Sequence, residues 1–112
     1  GNQSYAFGAN NVFYHPSIAG AVVPNLTGVP TDAGRAFAFV VVVNQGGSAY
    51  DVGVGSSSFG INGSPFTVQW PDGTPPTATA NQRDVYSFTL VNTSTSAGSP
   101  AWQVFGSKSS FA

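Results

Sequence analysis

"RAFAFVVVVN", residues 35–44, decides the fold. In an extended chain it sends Phe37, Phe39, Val41 and Val43 to one side and Ala36, Ala38, Val40 and Val42 to the other. Both faces are apolar. Such a strand belongs inside a sheet covered on both sides, by a second layer of its own chain or by another subunit.

Working outward, "DVYSFTLV" at 84–91 sets Tyr86, Phe88 and Leu90 against Val85, Ser87 and Thr89, the alternation of a half-buried strand. "AWQVF" at 101–105 offers Trp102 and Val104 to one side, with Gly106 releasing the chain to a polar tail. "PFTVQW" at 65–70 points Phe66, Val68 and Trp70 inward. "SAYDVGV" at 48–54 and "SSFGIN" at 57–62 read as weaker strands bulged by their glycines. "NQGGSA" at 44–49 carries a hairpin signal. "NVFYHPS", "GAVVPNLTGV" and the "PTDAG" turn at 30–34 predict two or three more strands. Helix is disfavoured, because Leu26 and Leu90 are the only leucines and Gly or Pro interrupts the chain every few residues. The expectation is all-β: one antiparallel, jelly-roll-like β-sandwich domain over residues 1–112, with about eight or nine short strands and no helix. Residues 1–17 are expected to form an N-terminal arm or a connection to a longer parent chain, and the missing initial methionine suggests a fragment or processed product.

Composition narrows function. Charged residues make up 6% of the 112 positions, against an ordinary level of about 25%. Three dispersed cations, Arg35, Arg83 and Lys108, cannot build a phosphate-neutralising patch, which argues against nucleic-acid binding. No apolar run approaches the ~20 residues of a helical membrane span, and no signal peptide is visible. Without cysteine there is neither a disulfide framework nor a thiolate metal site. Disorder is contradicted by fifteen aromatic residues and the Val-rich centre.

Catalytic constellations are weak. His15 is the only histidine, so no His-rich metal site exists, and in "FYHPS" it reads as a turn or interface residue. Asp32, Asp51, Asp72 and Asp84 lie in or beside turns and strand starts, where aspartate bonds nearby backbone. A glycosidase would need two carboxyl groups facing one another at ~5–9 Å. There is no Gly-x-Ser-x-Gly elbow, no phosphate loop in "GVGSSSFG" and no calcium loop. "NLT", "NGS" and "NTS" match the glycosylation pattern by composition. The expectation is a protein without catalytic, cofactor or metal-binding residues.

"FTVQWPDGTPPT" at 66–77 makes a rigid corner. Pro71 fixes its own φ, removes a ladder donor and holds Trp70 extended, while Asp72-Gly73 supplies a turn with Gly at positive φ. Pro75-Pro76 then forces a stiff excursion from one sheet toward the other. Catalysis needs none of this, so the corner serves shape.

The order "VQWPDGTPPT", a polar spacer, "DVYSFTLVN" and "WQVFG" resembles a β-sandwich domain found near the C-terminal ends of tailed-bacteriophage virion proteins, marine and cyanobacterial phages included. The positions that carry the resemblance are Trp70, Pro71, Gly73, Pro76, Asp84, Val85, Tyr86, Phe88, Trp102 and Gly106. It spans residues 18–106 and is specific over 66–106. "NTSTSAGSP" at 92–100 is longer and more polar than the family's connection. The resemblance implies a non-enzymatic structural component of the extracellular virion: a receptor-facing tail fibre or spike domain, or a capsid decoration (cement) protein. A carbohydrate-binding module of a secreted protein is the alternative from another class.

Edge strands sharpen the expectation of assembly: a single lysine in the C-terminal tail cannot guard them, which leaves Pro and Gly breaks, full closure or neighbouring subunits, and the doubly apolar central strand favours the last. The implied partners are further copies of the chain, a homotrimer on the family's pattern, together with other virion proteins and a host cell-surface glycan. Tyr5, Tyr14 and Tyr50, flanked by small and polar residues, are the expected contacts at a subunit interface or a sugar ring. Phe7, Phe13, Phe59 and Phe111 share such surroundings.

Overall fold

The computed structural model describes residues 1–8, 10–95 and 99–112. Its strands are β1 (Asn2–Ala6), β2 (Val12–His15), β3 (Val23–Thr27), β4 (Ala36–Asn44), β5 (Phe59–Ile61), β6 (Ser64–Phe66), β7 (Arg83–Asn92) and β8 (Trp102–Phe111), with one three-residue 3-10 turn at Pro71–Gly73. They form two four-stranded sheets, ordered β1-β3-β5-β6 (the first sheet) and β2-β4-β7-β8 (the second sheet).

Alternation in β4 and β7 builds the core. Phe39, Val41 and Val43 of β4 and Tyr86, Phe88 and Leu90 of β7 are buried, as their parity requires. Phe88 stacks on Phe39 at 5.8 Å and meets Phe59 of the opposite sheet at 5.0 Å. Trp70 approaches Phe88 edge-on at 6.0 Å. Each buried ring contributes about 2–3 kcal/mol by area, and each aromatic pair about 0.5–1.5 kcal/mol more.

Antiparallel pairing throughout is corrected. β1 runs parallel to β3, β3 to β5, and β2 to β4. The first five strands alternate between the sheets, so the chain crosses the sandwich at each connection and returns to a sheet in its earlier direction. Parallel neighbours result. Tight antiparallel return occurs at β5–β6, where Asn62 (φ 50) and Gly63 (φ 87) make the two-residue turn, and a longer return joins β7 to β8.

Residues 2–6 and 12–15 are integral edge strands, one in each sheet, and Tyr5 of β1 packs on Phe13 of β2 at 4.6 Å. This corrects the reading of the first seventeen residues as an arm. "NQGGSA" is not a hairpin: Gln45 closes the turn by donating to the Tyr50 carbonyl and accepting from its N–H, and the chain crosses to the other sheet. "SAYDVGV" forms only the isolated bridge Val22–Val52, because Gly53 (φ 69) turns the chain aside. Beyond Gly106 the chain is strand, not tail, up to Phe111. Apart from the turn at Pro71–Gly73, no helix occurs among the described residues.

Candidate interaction surface

The residues of the corner converge on one structural device. After β6 the chain leaves the first sheet and lies along the outer edge of β8. There the Gln69 N–H donates to the Val104 carbonyl at 2.8 Å, and the Gly106 N–H donates to the Gln69 carbonyl at 2.9 Å. Trp70 and Val68 flank this bridge and lie on Gly106. A Cβ there would stand 2.7 Å from both Trp70 Cζ3 and Val68 Cγ1. Gly106 is therefore required by Trp70, thirty-six positions earlier. The turn that follows is held by the Gly73 N–H to the Trp70 carbonyl at 2.9 Å and the Thr74 N–H to the Pro71 carbonyl at 3.1 Å. Both Asp72 (φ 55) and Gly73 (φ 69) are left-handed.

β7 carries a buried polar residue one position after its start and another at its end. Asp84, fully buried, accepts from the Thr79 N–H at 3.0 Å, Gln45 Nε2 at 3.2 Å and the Ser110 hydroxyl at 2.8 Å. Lys108 Nζ stands 3.6 Å from Asp84 Oδ1 and donates to the Thr79 hydroxyl at 2.8 Å and to the Thr77 carbonyl. Asn92, also buried, donates to the carbonyls of Thr31 and Asp32 and accepts from the N–H groups of Ser94 and Ala101. These two hubs pin the loops at the ends of the sandwich; neither Asn92 nor the inward lysine was legible in the sequence.

Lys108 also changes the account of the edges. Its side chain is buried on an edge strand, where an inward charge opposes edge-to-edge pairing. Gln69 covers the middle of that edge. β6, at the edge of the first sheet, is three residues long and contains Pro65. The expectation that the lone lysine cannot guard an edge is thus corrected for β8, while β6 is guarded by a proline break and its shortness.

The remaining aspartates are spread out. Asp51 accepts from the Ala78 N–H at 3.3 Å, Asp32 pairs with Arg35 at 3.0 Å on the surface, and Asp72 sits in the corner turn. No group of three His, Asp or Glu able to hold a metal exists among the described residues. His15 is hydrogen-bonded through Nε2 to the Tyr5 hydroxyl.

The three candidate tyrosines do not share a surface. Tyr5 is buried, and burial pushes its hydroxyl up to about 12, so its expected role as an exposed contact is corrected: its parity in β1 faces Phe13 and Phe39. Tyr50 is half-buried in the turn that Gln45 closes. Tyr14 is 54% exposed on the outer face of the second sheet. Phe59 is likewise core, while Phe7 and Phe13 pack against the core from its margin. Tyr86 lies fully buried; burial and the nearby Asp84 and Asp51 carboxylates push its hydroxyl well above the usual tyrosine range.

A surface does emerge elsewhere. Among the described residues the exposed large apolar side chains are Val12, Tyr14, Phe105 and Phe111. All four occupy outward positions of the second sheet. Register sets Val12 beside Val40 and Ser87, Tyr14 beside Val42 and Val85, and Phe105 beside Thr89 and Ala38. Arg83, in the end row with Asn44 and Phe111, is the one charge on the paired rows. The outer face of the first sheet differs: Asn2, Ser4, Asn25 and Thr27 stand there beside Ala6, Val23, Gly60 and Pro65, with no large exposed apolar side chain among the described residues. A shallow groove of about 320 Å³ between the start of β1 and residues 17–22 takes in His15 but no tyrosine.

No protein-family model, curated protein or solved structure matches this chain.

Proposed function

We propose that this chain is a non-enzymatic structural domain of a tailed-phage virion, the receptor-facing part of a tail fibre or spike, which works by presenting an assembled surface to the host. Two four-stranded layers are the part of a jelly-roll-like design on which this reading draws. The observation that carries it is the asymmetry of the two outer faces: every exposed large apolar side chain among the described residues lies on the second sheet, whose paired rows carry a single charge at one end. A strand such as β4, apolar on both sides, is covered on its inner side by its own chain, and its outer side calls for a neighbour. The resemblance carried by Trp70, Pro71, Gly73, Asp84, Phe88, Trp102 and Gly106 supplies the virion context and a homotrimer as the family's form of assembly.

Capsid decoration is the second reading, favoured by the exposed Val12, Phe105 and Phe111 of the same face, which suit a protein lattice better than a glycan. Dispersal of Tyr5, Tyr14 and Tyr50 weighs against a sugar-stacking platform and hence against the carbohydrate-binding module. Immunogold labelling of particles from a phage encoding this sequence tests the proposal. Label at the distal tail is expected; label over the capsid shell selects decoration, and particles without label refute a virion role.

A further inference from the structure

We infer that the outer face of the second sheet packs against the same face of a second copy, in a two-fold pair with the strands of the two copies running antiparallel. This rests on the assembled reading above but names its surface, and it replaces the three-fold arrangement with a two-fold one.

Three observations select a second copy as the occupant. The first is composition: the paired rows of this face present Val12, Tyr14, Val40, Val42, Val85, Phe105 and small or hydroxylated residues such as Ala38, Ser87, Thr89 and Ser107. Mixed in polarity and with its single charge confined to the end row, such a surface offers a second copy the same apolar and hydroxylated groups that it presents itself. The second is charge. Arg83 sits in the terminal row, so antiparallel stacking sends the two arginines to opposite ends of a contact about 30 Å long, beyond the ~10 Å screening length. Parallel stacking would bring them together.

The third is area. Three strands of nine or ten residues and one of four, spaced by about 4.8 Å and rising about 3.3 Å per residue, give a face of roughly 520 Å². Against a total accessible surface of 5752 Å², that is about a tenth of the molecule, the share typical of a specific interface. Two copies together would bury roughly 1,050 Å², just above the ~1,000 Å² that a specific contact needs. A self-complementary contact of this kind closes at two subunits.

The test is the mass of the full chain in solution, measured by sedimentation equilibrium over micromolar concentrations. Twice the 11.4 kDa chain mass is expected. Ser87→Lys and Thr89→Lys, made separately, change exposed side chains at the middle of the face. Each is expected to weaken pairing by roughly a hundredfold, because each substitution enters the contact twice. Ser4→Lys, on the outer face of the first sheet, is the control and should leave the pair intact. Circular dichroism verifies folding, and two separate variants keep the test valid if one fails to fold. A monomeric wild-type chain, a trimer, or a dimer indifferent to both lysines would overturn the inference. None of these would remove gold label from a virion, so the two readings fail separately.

Discussion

Replacing Gly106 by alanine tests the way the corner is fastened to the sheet. The new Cβ would lie 2.7 Å from Trp70 Cζ3 and Val68 Cγ1, and 3.0 Å from Trp70 Cη2. Carbon atoms settle at about 3.5–4.0 Å, so two buried side chains must each yield close to 1 Å. Neither can do so freely. Trp70 is 8% and Val68 4% exposed, and Gln69 between them is hydrogen-bonded to β8 on both sides. If the segment stays, overpacking costs about 1–3 kcal/mol. If it lifts, two hydrogen bonds of about 1 kcal/mol each are lost, along with part of the tryptophan's burial. Either route gives about 2–3 kcal/mol, a fall in Tm of about 10 °C for a domain of this size. Urea unfolding followed by tryptophan fluorescence reads the loss. The double variant with Val68→Ala should recover part of it, with a coupling of about 1 kcal/mol. A Gly106→Ala chain within about 0.5 kcal/mol of the parent, or a cycle without coupling, would refute the packing argument.

Lys108→Met leaves Asp84 buried without its cation and should cost on the order of 3 kcal/mol in urea unfolding, whereas adding Asp84→Asn to it should cost less than the sum of the two single changes. Tyr5 supplies a pH dependence. Its folded value of about 12 exceeds the usual 10, so the stability it contributes is fully present below pH 10 and is lost as pH rises toward 12. Two units correspond to about 3 kcal/mol, and Tyr86 acts in the same direction. Urea midpoints measured across that window should fall less steeply for Tyr5→Phe than for the parent chain. At the β5–β6 turn, Gly63→Ala forces φ 87 on an L-residue in otherwise open space and should cost about 1–2 kcal/mol by thermal unfolding, while Gly46→Ala, also in open space but without a positive φ, should change stability by under about 0.5 kcal/mol.

Alternation made the inward set of β7 readable, because its parity is fixed by its own backbone and Tyr86, Phe88 and Leu90 stand against Ser87 and Thr89, whereas β4, apolar on both faces, showed two alternating sets and needed the second layer to choose between them. The same logic failed for Tyr5 and Phe59, whose short strands carry small or polar neighbours and too few residues for a period to stand out. Asp84 was read as a strand start, and its position at the head of β7 agrees. Its burial depends on Gln45, Thr79, Lys108 and Ser110, which are brought from three other segments. Val12, Phe105 and Phe111 belong to one surface only once β2 and β8 are known to be the two edges of one sheet.

Legible in the residues alone were the all-strand character of the chain, the end of a strand at Trp70-Pro71, and the core-facing parity of Tyr86, Phe88 and Leu90 and of Trp102 and Val104. These are local properties, set by period, proline and glycine. Only the assembled sandwich fixed that three of its strand pairs run parallel, that residues 2–6 and 12–15 each form an edge, and that Val12, Tyr14, Phe105 and Phe111 share one outer face. Those outcomes depend on which layer each connection crosses to and on contacts between residues tens of positions apart, and no local pattern encodes either.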